Sequence, residues 1–247
     1  RILRNSIQEG LKGTSFDDRI LGFQSCRFKQ LMDTNQLLED GMLNRMILYV
    51  TSLMEVKSSM GVIVAAPTAG SCATCPGACL AAAEILEASE EAASRAMLTA
   101  GLIGVFTTIR SSFAAEVGGC QAETGAGAAM AAAALVEMAG GDTTQSLAAA
   151  SMAFQNVLGL VCDPVANRVE APCLGRNVAG AANALSSANM ALAGFDPLIP
   201  LDQVLDAHRD ISESMPRELR CTALGGLSIT PASKAIEQRL CGGCSGC

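Results

Sequence analysis

The chain has 247 residues, half of them apolar, enough for a sizeable core in one large domain or two small ones. Its formal charge of -7 and its lack of any Lys/Arg cluster exclude a nucleic-acid surface, which depends on concentrated positive charge. Aromatic residues make up only 3%, with no Trp and one Tyr, against abundant Ala and Gly, which predicts slim helices packed backbone to backbone in an all-α fold.

At the start, "RILRNSIQEGLKGTSFDDRI" is interrupted by charges and has no apolar h-region, so no export signal is expected there. Up to about residue 60 the apolar positions Leu37, Leu38, Met42, Met46 and Leu53 recur at helical spacing, predicting two or three helices with turns near Gly13 and Gly22. The run "GVIVAAPTAGSCATCPGAC" ends an apolar stretch at Pro67 and leads through a loop into a long Ala-rich helix predicted over about 77 to 103. In that loop Thr68, Gly70 and Ser71 offer hydroxyls and backbone N–H groups near a helix N-terminus, a place for an anion or for simple capping. "EVGGCQAETGAG" then breaks the helical pattern before a helix of about 124 to 139. Its stretch "AGAAMAAAALVEMAGG" is short, rich in Ala and Gly and broken by Glu137, so no membrane span is expected. After "CDPVANRVEAPC", "GRNVAGAANALSSANMALAG" reads as a small-residue helix. "PLDQVLDAHRDISESM" reads as an amphipathic one, with the only histidine, His208, on its solvated face. Pro216 and "ALGGLSITPAS" mark a further loop. With no internal repeat and no linker, one compact domain over 1–247 is expected, closed by a flexible cysteine-rich tail at about 238–247.

Eleven cysteines in a chain so long and so well supplied with core point to a reducing cytoplasm and to thiols that serve a metal, rather than to a disulfide framework. Cys120, Cys162 and Cys173 each stand in a loop beside Gly or Pro, between helices predicted to pack closely. By spacing alone they are either scattered buried thiols or ligands brought to one point, since no compact Cys-x-x-Cys joins them.

Four ordered motifs carry a resemblance. "AAPTAGS", "GGCQAETGAG", "CDPVANRVEAPC" with "RNVAGAANA", and "TALGGLSITPAS" together resemble the α module of the bacterial iron-sulfur L-serine dehydratases, over nearly the whole chain. The resemblance implies an all-α module in which Cys120, Cys162 and Cys173 hold a [4Fe-4S] cluster. Three thiolates leave one iron open to act as a Lewis acid on the substrate hydroxyl, so that L-serine loses water and yields pyruvate and ammonia. Pyridoxal phosphate is not implied, and no lysine stands in a pyridoxal context. Thr68, Gly70 and Ser71 of "PTAGS", with Glu123 and Thr124 of "ETG", are expected to bind the substrate. Cys247, the last residue, matches a C-terminal cysteine that in some relatives occupies the fourth iron until substrate displaces it.

The resemblance also implies a β module with a Ser-Ser-His-Thr motif that this chain lacks, hence a separate partner chain in an oligomeric enzyme. Cys72, Cys75 and Cys79 of "SCATCPGAC", with Cys241 and Cys244 of the tail, leave a second metal site open. The unusual 72–79 loop is also compatible with elimination from threonine or cysteine. A non-catalytic iron-sulfur protein, for electron transfer or sensing, is the alternative from another class.

Overall fold

A computed structural model describes residues 1–38 and 41–242 of the chain. Among the described residues there are α-helices and no strands, in keeping with the all-α expectation. Three helices fill the N-terminal region, α1 (Ile2–Lys12), α2 (Ser25–Asp33) and α3 (Met42–Ser58), with Gly13 and Gly22 both in the α1–α2 turn. The bundle continues through α4 (Thr74–Ile85), α5 (Glu90–Arg110), the short α6 (Ala115–Gly118), α7 (Ala126–Met138) and α8 (Thr143–Gln155). It ends with α9 (Cys173–Leu192), α10 (Leu201–Ser214) and α11 (Pro231–Gly242).

The middle of the bundle is α7, buried at every position from Ala126 to Val136 and packed by α4, α5, α8 and α9. A helix apolar on every side is stable only when enclosed, and alanine side chains let its neighbours approach closely. Gly180 on α9 shows how tight the approach is. A Cβ there would stand 2.9 Å from the methyl groups of both Thr74 and Thr124.

Three sequence expectations change. The helix predicted over about 77 to 103 is two helices, because the chain breaks at Glu87, which takes a left-handed φ of 50°, and restarts at Ser89. The Ser89 hydroxyl accepts from the Ala92 N–H at 3.1 Å, and Glu90 and Glu91 favour the positive end of the new helix, a local signal that overrides alanine propensity. Helix α8, opened by the Asp142/Gln145 capping box, has no counterpart in the sequence reading. Finally, His208 is not solvated but fully buried on the inner side of α10, its Nδ1 2.6 Å from the Ser111 hydroxyl and its ring 5.4 Å from Phe154. Burial pushes its pKa down to about 4. The first residues of the expected tail, 238–242, continue α11, while Cys244 and Cys247 lie outside the described residues.

Candidate active site

The segment from Cys162 to Cys173 is held from several directions, and its charged residues do the holding. Asp163, which is buried, accepts from Arg176 Nη2 at 2.5 Å and from the Leu227 N–H at 2.7 Å. Gly226 is required beside it, since its φ of 57° is left-handed and any Cβ there would collide with the Asp163 carboxylate. Arg168 pairs with Asp18, and Glu170 accepts from the N–H groups of Ile20 and Leu21, each at 3.1 Å. The C-terminal region closes the far side, where the Ser228 hydroxyl donates to the Pro164 carbonyl at 2.8 Å and the Ala166 N–H to the Ser233 hydroxyl at 2.9 Å. A loop with a single 3-10 turn, Val165–Asn167, thus presents its two end thiols in fixed positions.

Cys120 and Cys162 meet in a small satellite core with Ala115, close enough for each thiol to shift the other's pKa. Cys120 leads into a π-helical turn, Gln121–Gly125, an irregularity that often marks functional sites. Buried Gln121 anchors that turn by donating to Ser212 at 3.0 Å and accepting from the Gly159 N–H at 2.8 Å. Arg176, on the first turn of α9, donates from Nη1 to Cys120 Sγ at 3.3 Å. The neighbouring Cys162 thiol, with the guanidinium, holds the Cys120 thiol below its ordinary pKa, while Cys120 in turn raises Cys162. Cys173 starts α9 on the edge of the main core, within electrostatic reach of Cys120, Arg176 and Lys57, and burial pushes it up to about 12.

Sequence reasoning missed a fourth thiol. Cys221 packs against the Cys120–Cys162 core and is joined to Cys162 through the backbone, its N–H donating to the Cys162 carbonyl at 2.9 Å. By contrast Cys72, Cys75 and Cys79 are packed in the main core, with Cys75 and Cys79 one turn apart on α4. Cys241 is exposed on α11.

The "PTAGS" and "ETG" segments come together. Thr68 donates to Glu123 Oε1 at 2.6 Å, and Gly70 lies so close that a Cβ on it would stand 2.6 Å from Glu123 Oε2. Burial raises the Glu123 pKa, partly offset by the Thr68 hydroxyl and by Lys57. Lys57 donates from Nζ to the Val169 carbonyl, and burial lowers its pKa while Cys173, Cys72, Glu170 and Glu123 act on it electrostatically. Ser71 and Thr124 are buried, Ser71 with its hydroxyl toward Thr74 at 3.5 Å and Thr124 against Gly180. The helix N-terminus expected to receive an anion is already engaged. Asn177 Oδ1 accepts from the N–H groups of Ala73 and Thr74 at 3.2 and 3.1 Å, and Thr68 caps the Ser71 N–H at 3.1 Å. Asn177 Nδ2 also donates to the Gly70 and Cys173 carbonyls at 2.9 Å, which fixes the loop to the start of α9.

Among the described residues no three His, Cys, Asp or Glu side chains converge as they would on a single ion. Cys120 and Cys162 share the satellite core with Cys221 packed against it, and Cys173 lies in the main core within electrostatic reach of Cys120; thiols are the ligand type that iron-sulfur clusters take.

The fold is an all-α domain whose connecting segments bring buried thiols together. The chain belongs to the serine dehydratase alpha chain family, whose family model matches residues 1–228. It is 40% identical over 245 residues to a probable L-serine dehydratase alpha chain of Bacillus subtilis, covering 99% of this chain and 82% of that one. To a protein of the same description from Latilactobacillus sakei it is 48% identical over 188 residues, 76% of this chain and 90% of the relative. An L-serine dehydratase of Mycobacterium bovis is 38% identical over 196 residues, and there the match spans 77% of this chain but 42% of the relative.

Proposed function

We propose that this chain is the alpha chain of an enzyme that dehydrates and deaminates L-serine to pyruvate and ammonia. In this reading Cys120, Cys162 and Cys173 ligate a [4Fe-4S] cluster and a separate beta chain completes the enzyme. One observation carries it: Arg176 of the "RNVAG" segment reaches Cys120 of "GGCQAETG" and Asp163 of "CDPVANR" at once, while Thr68 of "APTAGS" binds Glu123. Three of the family's four motifs therefore meet at one place, and the fourth joins them through the Leu227 N–H that donates to Asp163.

When bound, the cluster supplies an iron without a thiolate ligand, a Lewis acid for the departing β-hydroxyl. The protein's part is positioning and charge. Arg176 favours thiolate at Cys120, and Asp163 keeps the guanidinium in line. Glu123, held by Thr68 against Gly70, accepts the substrate ammonium, and Lys57 attracts the carboxylate from the same neighbourhood. Ser71 and Thr124, both buried, shape this surface from behind. Loss of the α-proton and the β-hydroxyl gives an enamine, and its imine tautomer takes up water to release ammonia. Cys247 keeps its proposed role as the group that substrate displaces.

The test is anaerobic reconstitution of the two-chain enzyme with single Cys→Ser changes at the three thiols, reading iron, sulfide and pyruvate formed from L-serine, L-threonine and L-cysteine. Each change is expected to lower iron content and turnover together, with L-serine the best substrate of the wild type. Full iron and sulfide in all three variants would contradict the ligand set, and a stronger response to threonine or cysteine would reassign the substrate.

A further inference from the structure

Helix α5 has two apolar faces and uses one. Ala96, Ala100, Ile103, Gly104 and Thr107 are buried, with α7 the neighbour that α5 packs against most. Leu98, Leu102, Val105 and Ile109, spaced by four, three and four residues, form a second stripe that is 74, 53, 50 and 75% exposed. Grooves flank it on both sides. One, of about 520 Å³, lies toward α8 and α10 and is lined by Phe106, Ile109, Leu147, Pro197, Leu201 and Leu205. The other, of about 510 Å³, lies toward the segment before Thr68 and is lined by Ala65, Pro67, Met97, Gly101, Val105 and Phe113. So large a contiguous apolar surface is unusual on a chain that stands alone.

We propose that this face is where the beta chain docks, through an apolar surface of its own that fills both grooves and covers the ridge between them. The proposal rests on the reading of this chain as one of two in a serine dehydratase. The Mycobacterium bovis relative carries more than half of its length beyond the part this chain matches, since the match covers 42% of it, and that remainder needs a surface on a domain like this one. The second groove is lined by Ala65 and Pro67, so an occupant seated there touches the segment that leads into Thr68 of the candidate active site. A bilayer or a second copy of the chain has no such reason to follow the groove. The rim is polar and already paired, with Arg95 between Glu91 and Glu137 at one end and Arg110 between Asp202 and Asp206 at the other. An apolar centre inside a polar rim is the usual anatomy of a protein interface. By length and composition alone α5 also passes for a membrane span, but its inner face is committed to the bundle.

The test is co-purification of the chain with its beta chain, comparing the wild type with the double variant L102E/I109E and with S186E, a charge placed on the exposed side of α9. The double variant is expected to weaken beta-chain binding about 30-fold or more, with unchanged far-ultraviolet helicity and unchanged iron uptake on reconstitution, while S186E binds as the wild type does. Retention of the beta chain by the double variant would overturn the docking surface and leave the two-chain reading standing. A wild-type chain that binds no beta chain would overturn both. Dimerisation of the wild-type chain alone, abolished in the double variant, would assign the face to a second copy, and binding to phosphatidylcholine/phosphatidylglycerol vesicles through it would assign it to a membrane; either result contradicts the proposal.

Discussion

Arg176 donates to the Cys120 sulfur at 3.3 Å with one arm of its guanidinium and to Asp163 at 2.5 Å with the other. Both side chains of the ion pair are largely withdrawn from water, at 15 and 5% exposure, so removing one partner strands the other. Replacing Arg176 by Gln is expected to destabilise the cluster-free chain by about 3 kcal/mol and to lower iron uptake. Lysine should rescue little, because a single ammonium cannot span two partners that a planar fork joins. Urea denaturation and iron analysis of the two variants check this, and full stability with Arg176→Lys would show that charge alone suffices.

The closeness of Gly70 to Glu123 gives a steric prediction. A side chain at Gly70 drives the Glu123 carboxylate from its place beside Thr68. Gly70→Val is therefore expected to raise KM for L-serine about tenfold or more, the cost of losing a charge-assisted contact. Iron content should stay at the wild-type level. Unaltered kinetics would remove this loop from the substrate site.

A pH dependence follows from the same pair. Burial raises the Glu123 pKa and the Thr68 hydroxyl holds it down, so Thr68→Val lets it rise further. Because Glu123 serves as a carboxylate, the acid limb of the kcat/KM profile should move to higher pH in the variant. A limb that stays in place, or moves to lower pH, contradicts the role given to Glu123.

His208 controls a different pH window, that of stability. Folded, its pKa is pushed down to about 4, against an ordinary value of 6.5, so the unfolded chain binds the extra proton first as pH falls. Stability is complete above pH 6.5 and declines toward pH 4, by up to about 3 kcal/mol. Chemical denaturation across this range should show the slope in the wild type and a flatter one in His208→Gln.

Local chemistry was legible in the sequence wherever neighbours along the chain decide the outcome. The alanine run of α7 announced a helix at about 124 to 139, and the motifs around Cys120, Cys162, Cys173, Thr68 and Glu123 marked the segments that meet. What the sequence hid is set by contacts between distant segments. Cys221 sits just before the "TALGGLS" motif, and nothing in its spacing reveals that the backbone at Arg220 pairs with Cys162. Arg176 carried a readable signal, three residues beyond Cys173 on the same helix start, yet its role depends on Cys120 and Asp163 arriving from other elements. The amphipathic pattern of α10 was plain, but the polarity of His208 pointed it outward. A hydroxyl from Ser111 and the ring of Phe154 receive it there, while its Nε2 is buried without a partner among the described residues.

The most direct test of the central claim is the Mössbauer spectrum of the anaerobically reconstituted enzyme, enriched in ⁵⁷Fe, before and after addition of L-serine. With Cys120, Cys162 and Cys173 as the protein ligands, one iron in four is expected to change its parameters on substrate addition while the other three stay as they were. Four irons that respond to L-serine in the same way, or none that respond while pyruvate is formed, would contradict the account.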